Sequence, residues 1–302
     1  WIADRDWIAR KMFVLDRIDG DLVIEGLDCV CTVRVNGVRV LQTRNAFRSY
    51  RAPLDGVAKV GENAVEITFH STTRAANAAQ EAQPFFVPYA VQNCPIPNGN
   101  MLRKPACDFG WDWNIALAPF GLTGAVRVEP RGPVIERLAV RQDHRAGAVT
   151  VHVALHTSGA EGVPFRAEFA RQLIAGKVAG PVTDIAFEVE DPDLWWPAGQ
   201  GGQPLHDLTV AVADRTLTRR IGLRTMELVT EQDAAGLSFK LRVNGRDIFA
   251  KGANWIPADA LSGRISADKT RGLLQSAADA HMNMIRVWGG GRYEPDSFYD
   301  TC

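Results

Sequence analysis

Two short apolar stretches near the end of the chain restrict its fold more sharply than any other feature. The first, from Phe249 to Pro257, ends in Asn254-Trp255 beside a proline; the second, from Asn283 to Glu294, ends in Arg286, Trp288 and three consecutive glycines. A strand tip that gathers amide, guanidinium and indole groups has no place inside a core, because buried polar groups need partners. Between the two lies a stretch that Ser266 can cap, with Leu273, Leu274, Ala277, Ala278 and Met282 at helical spacing from Ala267 to about Met282. Met284–Val287 reads as a second strand, and Pro295 suits the start of another helix. A strand–helix–strand crossover of this length makes the strands parallel, the opening of an α/β barrel or of an open α/β sheet. Polar groups at the carboxyl ends of parallel strands are the usual setting of an active site in a (β/α) barrel.

The chain ahead of this segment is β-patterned. Lys11–Leu15, Asp21–Gly26, Thr32–Val35, Val38–Leu41, Phe47–Leu54 and Ala64–His70 read as strands, with Asn36-Gly37 as a hairpin turn. No opening strand is expected before them. Thr73–Gln83 favours a short surface helix. A proline-rich run then leads to Arg103-Lys104-Pro105 and to Phe109-Gly110-Trp111-Asp112-Trp113. If Trp111–Trp113 is extended, its indoles share one face and Asp112 takes the other. Such an aspartate either accepts hydrogen bonds from sugar hydroxyls beside an apolar wall, or caps a turn next to two core tryptophans.

Arg131-Gly132-Pro133 marks a boundary. Beyond it Val134–Arg141, Ala148–His156, Pro164–Phe169, Ala186–Val189, Leu208–Val212 and Leu217–Ile221 alternate like a second, smaller sandwich. Within it Trp195-Trp196, flanked by prolines, reads either as an apolar plug between domains or as a sugar-stacking platform. Leu237–Val243 and Arg246–Ala250 form a hairpin around Asn244-Gly245.

Composition narrows the function classes. The 302 residues are 46% hydrophobic and 23% charged with a net charge of −1, which gives no basic face for a nucleic acid. No apolar run reaches membrane-spanning length, and Trp1 already stands in a strand-like context rather than in a signal peptide. A soluble protein, cytoplasmic or periplasmic/secreted, is expected. Five cysteines show no metal-ligand spacing; Cys29 and Cys31 read as buried thiols, and Cys94 and Cys107 as thiols or a disulfide.

At these residues the chain resembles the β-mannosidases of glycoside hydrolase family 2, nearly end to end. The resemblance rests on Asn45-Ala46-Phe47, Arg103-Lys104, Phe109–Trp113, Leu194-Trp195-Trp196-Pro197, Arg220–Thr225, Asn244-Gly245, Phe249–Asp259 and Arg286–Gly291. It implies a mostly β chain: a jelly-roll β-sandwich over 1–131 whose start is missing, an immunoglobulin-like β-sandwich over 132–235, and the first βα units of a truncated (β/α)8 barrel over 236–302. It also implies retaining hydrolysis of terminal β-mannosides or manno-oligosaccharides without metal or organic cofactor. Asp112 takes the role of the aspartate that binds sugar hydroxyls, with Trp111 and Trp113 beside it. Asn254 and Trp255 lie near the pocket, Arg286 and Trp288 shape it, and Tyr293 and Glu294 are further candidates. Asn114 and Leu122-Thr123-Gly124 depart from the family pattern, in place of a glycine and a tryptophan.

Retaining glycosidases use two carboxyl groups about 5–5.5 Å apart. The family carries both as glutamates on later barrel strands, so no catalytic residue is expected in this chain and the chain alone is expected to be inactive. The alternatives are another family 2 activity (exo-β-glucosaminidase, β-galactosidase or β-glucuronidase) or a non-catalytic carbohydrate-binding module.

Overall fold

Alternating side chains shape the first unit, which comprises Trp1–Arg131, Asn254–Gln275 and Val287–Cys302 in the computed structural model of residues 1–302. Its strands are β1 (Trp7–Leu15), β2 (Gly20–Ile24), β3 (Leu27–Asp28), β4 (Val30–Val35), β5 (Val38–Arg44), β6 (Tyr50–Pro53), β7 (Gly61–Phe69), β8 (Gly121–Leu122) and β9 (Val126–Pro130). One sheet has the order β1-β7-β4-β5, a second β6-β2-β9, and β3 pairs with β8. Every pair is antiparallel. On β7 every second residue (Asn63, Val65, Ile67, Phe69) is buried. Val65, Ile67 and Phe69 join Val33 and Val35 of their own sheet and Leu22 and Ile24 of the other in a single apolar cluster. The two sheets therefore share one core across their inner faces.

Local chemistry explains where the strands start and stop. Asn36 and Gly37 both take positive φ, 50° and 84°, as a two-residue hairpin between β4 and β5 requires. The strand expected from Phe47 begins only at Tyr50, because Asn45 Oδ1 accepts from the Phe47 amide at 2.9 Å and holds a turn there. β9 carries Arg127 and Glu129, so its apolar signal is weak; the sheet gains it through ion pairs of Arg51 with Glu129 and of Arg127 with Glu25. The expected surface helix is α1 (Thr72–Glu81), and Ser71 Oγ caps it by accepting from the Arg74 amide.

The second unit, Gly132–Ala253 with Ser276–Arg286, repeats the principle with longer strands. They are β10 (Val134–Arg145), β11 (Ala148–Ser158), β12 (Pro164–Phe169), β13 (Gln172–Lys177), β14 (Val182–Glu190), β15 (His206–Val212) and β16 (Arg215–Ile221). Sheets ordered β10-β11-β14 and β13-β12-β15-β16 enclose Val151, Val153, Leu155, Phe169, Phe187, Leu208 and Val210. A further hairpin sheet of β17 (Met226–Val229), β18 (Lys240–Val243) and β19 (Arg246–Ile248) follows. Trp195 and Trp196 join it to the larger sheets: the Arg224 guanidinium lies 4.6 Å from the Trp195 ring and that of Arg246 lies 4.7 Å from the Trp196 ring. Asn244 Nδ2 also donates to the Trp195 carbonyl at 3.0 Å. Each indole thus has a cation against it, an interaction worth about 0.5–1 kcal/mol at such partly exposed sites.

The last strands are β20 (Gly252–Trp255) and β21 (Met284–Val287), with α2 (Ala267–Asp279) between them and α3 (Asp296–Thr301) after. The Met284 amide donates to the Lys251 carbonyl and the Trp288 amide to that of Trp255, so the pairing climbs the same way along both segments and the strands are parallel. Any side chain at Gly252 would put its Cβ 1.8 Å from the Met284 carbonyl oxygen, which restricts the site to glycine. α2 ends at Asp279, short of the expected Met282, and His281 takes a positive φ of 58° where the chain leaves the helix. Of its expected apolar face only Leu274 is buried, and Leu273 is exposed. Strands hold 44% of the residues and helices 14%, with no closed barrel, so the chain is mostly β. No helix is long and apolar enough to cross a membrane.

Cys94 and Cys107 are both free thiols, so the disulfide left open by their number is not formed. Burial pushes the thiols of Cys29 and Cys31 up to about 12 and that of Cys107 up to about 11. A thiol must ionise to react. In native protein a maleimide or aromatic disulfide reagent should therefore modify exposed Cys302 first, with Cys29, Cys31 and Cys107 reacting only after unfolding; mass spectrometry of labelled peptides checks this. Truncating the buried Phe187 to Ala should lower the unfolding free energy by about 3–5 kcal/mol. Val182→Ala, on the solvent side of the same strand, should change it by less than about 0.5 kcal/mol in the same urea titration.

Candidate functional site

The irregular stretch before β8 is rigid because of what is packed under it. Phe109 is 1% exposed, in a small cluster with Ala3 and Ala118. Gly99 lies against its ring, where an added Cβ would come within 2.2 Å of it. Gly110 takes φ +107°, and a Cβ there would sit 2.5 Å from Pro95 Cδ, so the glycine in Phe109-Gly110-Trp111 is a backbone requirement. Trp111 and Asn114 then bond each other's backbone in both directions, at 3.1 and 3.2 Å, and close a tight turn with Asp112 and Trp113 at its tip. The segment is a turn, so the extended arrangement that would put both indoles on one face does not apply. Both indoles instead meet one partner, because the turn swings them onto Trp288. Asn114 stabilises the turn, donating from Nδ2 to the Cys107 carbonyl at 2.8 Å. Its departure from the family pattern is accommodated by that bond.

Trp288 stands where β21 ends. Its ring centroid is 5.2 Å from that of Trp111, tilted by 53°, and 5.4 Å from that of Trp113, edge-on at 83°. Such offset and edge contacts are the favoured aromatic geometries. The indole folds back over Gly290, where a Cβ would lie 1.9 Å from the ring, so the glycine run makes room for it. Gly290 also accepts from the Cys107 amide at 3.0 Å, tying the two loops together by backbone. Asp112 is exposed at the tip and takes no protein partner.

The remaining candidates fall into different roles. Trp255 Nε1 donates to Glu294 Oε1 at 2.9 Å and its ring lies 5.0 Å from that of buried Phe298, so Glu294 holds an indole. Tyr293 is 82% exposed, with its ring edge-on to Phe47 at 5.6 Å. Asn254 is exposed at the end of β20. Arg286 belongs to the other unit, where it is exposed on β21.

Sequence reasoning did not identify the charged cluster below. Lys104 is fully buried, and its ammonium donates to Asp28 Oδ2 at 3.0 Å, Asp108 Oδ2 at 2.6 Å and the Pro119 carbonyl at 2.5 Å. An ammonium has three donors, and all three are used. Arg292 approaches the same carboxylates, 3.5 Å from Asp28 and 4.0 Å from Asp108. Burial is the main influence on Asp28 and pushes its carboxyl up, against the opposing pull of Lys104. The only local signal was the four-residue spacing of Lys104 and Asp108, since Asp28 and Arg292 are far off in sequence. No group of three or more His, Cys, Asp or Glu is placed to hold a metal ion.

An exposed aspartate on a turn whose two indoles both pack on Trp288 offers a hydrogen-bond acceptor beside an apolar wall. Comparison with known proteins shows what the chain is similar to. Residues 1–124 match the glycosyl hydrolase 2 galactose-binding domain-like family. Beta-mannosidase B of Emericella nidulans is 32% identical and the beta-mannosidase of Capra hircus 33% identical, each across 100% of this chain and 38% of the relative. The crystal structure of the beta-D-mannosidase of Dictyoglomus thermophilum superposes with a TM-score of 0.91 at 29% identity, covering 100% of this chain and 40% of that one. The chain thus spans well under half the length of the relatives it matches. Along all of its own length the chain is similar to β-mannosidases, and over residues 1–124 to the glycosyl hydrolase 2 galactose-binding domain-like family.

Proposed function

We propose that these residues form the sugar-recognising portion of a retaining exo-β-mannosidase that removes terminal non-reducing β-D-mannose from β-mannosides or manno-oligosaccharides. The single observation that carries this reading is the assembly of Trp111, Trp113 and Trp288 behind the unpartnered carboxylate of Asp112. A pyranose has an apolar face that packs on an aromatic ring and an equatorial rim of hydroxyls that donate to a carboxylate. A charge-assisted hydrogen bond of that kind contributes about 1.5–3 kcal/mol. In the same reading residues 1–131 are a jelly-roll domain, 132–235 an immunoglobulin-like domain, and 236–302 the opening of a (β/α)8 barrel. The parallel pair β20, which ends in Trp255, and β21, which Trp288 follows, supports the last of these.

In this reading these groups bind sugar and do not cleave it. Asp28 and Asp108 are committed to Lys104 and Glu294 to Trp255, so none is available as nucleophile or acid. The dyad of a retaining mechanism comes from elsewhere in the enzyme. The 302-residue chain by itself should release no 4-nitrophenol from 4-nitrophenyl β-mannoside, whereas the full-length enzyme should. Asp112→Ala in that enzyme should lower kcat/KM by about 2–4 kcal/mol of transition-state stabilisation, provided its bonds to the sugar tighten as charge develops. Steady-state kinetics on aryl β-mannoside, β-glucosaminide, β-galactoside and β-glucuronide decide the substrate. An unaltered kcat/KM in the variant, or fastest turnover of a sugar other than mannoside, overturns the proposal.

A further inference from the structure

The indole assembly has two loops as its parents, and the charged cluster beneath reaches both. Asp108 lies two residues before Gly110, and its backbone carbonyl accepts from the amides of Leu117 and Ala118, so it grips the Trp-Asp-Trp turn from both sides. Arg292 lies four residues after Trp288, on the loop that folds over Gly290. Lys104 supplies one positive charge against the two carboxylates of Asp28 and Asp108, so a second cation is needed for balance. Arg292, with its side chain 22% exposed, is the group that provides it. Asp28 Oδ1 is buried and accepts no hydrogen bond, which leaves half of that carboxylate facing the cluster unfilled. Arg292 reaches the other oxygen, Oδ2, at 3.5 Å, the same atom that Lys104 contacts.

We infer that Arg292 is a positioning residue: by pairing with the buried Asp28 and Asp108 it fastens the loop of Trp288 to the loop of Trp111 and Trp113, and so sets the indole wall against which Asp112 meets the sugar. The inference rests on the sugar-site reading for its consequence in catalysis, but its geometric half stands alone. The Cys107–Gly290 backbone bond joins the same loops and fixes their separation. The orientation of the Trp288 ring needs a second anchor past the three glycines, and Arg292 is placed to give it.

The 302-residue chain tests the geometry. Closely packed indoles give an exciton couplet in circular dichroism, and the part owed to this assembly is what Trp288→Phe removes. Arg292→Met should remove the same part while the strand signal persists; Arg292→Lys should keep a portion of it. Removing one partner of a buried pair also destabilises, so Asp28→Asn/Arg292→Met restores the charge balance as a control. The double variant should recover urea resistance but not the couplet. If Arg292→Met keeps the couplet, or if the double variant regains it along with stability, Arg292 only balances charge and the inference fails. In the full-length enzyme Arg292→Met should lower kcat/KM on the mannoside about 100-fold, chiefly through kcat, because a displaced wall misaligns bound sugar. Loss of the couplet with unchanged kinetics would leave the positioning intact and overturn the sugar-site reading instead.

Discussion

Lys104 brings a positive charge into the interior of the first unit, and the folded loops around it follow from how that charge is satisfied. A buried ammonium has lost its hydration, and the loss is offset only when every donor finds an acceptor of good geometry. Asp28, Asp108 and the Pro119 carbonyl supply the three. They come from a strand end, a short helical turn and a loop, so satisfying one side chain fixes three pieces of backbone. A long irregular stretch can be rigid without regular hydrogen bonding when it is organised in this way.

What that rigidity supports is a set of aromatic contacts at the surface. The reciprocal bonds of Trp111 and Asn114, the crowded Gly110 and the bond from Asn114 to Cys107 direct both indoles of the turn toward Trp288. Asp112 is left at the tip as an acceptor with no internal competitor. Binding groups held by packed neighbours lose little entropy on meeting a ligand, which is the physical advantage of a preformed wall. Glu294 does comparable work for Trp255, accepting from its indole and so fixing the ring's orientation.

The two β units show how far pattern reading extends. Where apolar residues alternated cleanly, as in Pro164–Phe169 or Ala148–His156, the strands form where the pattern puts them, the second running on to Ser158. Where charge interrupted the alternation, as in Val126–Pro130, or consecutive apolar residues blurred it, as in Gln172–Lys177, strands form that the pattern did not announce, held by cross-strand partners. The helix between the final strands ends early for a local reason, the left-handed turn at His281, which no periodicity could reveal.

Sequence alone determined the mostly β character and the hairpins at Asn36-Gly37 and Asn244-Gly245, because each depends on residue types a few positions apart. Tertiary structure decided the rest. The Trp-Asp-Trp segment is a turn rather than a strand because Asn114 and Gly110 find their constraints in Cys107 and Pro95. The charged cluster could not be read in advance, since Asp28, Lys104 and Arg292 are separated by most of the chain and only folding puts them within reach of one another. Short-range geometry is written in neighbouring residues; electrostatic partnership between remote ones exists only once the backbone has brought them together.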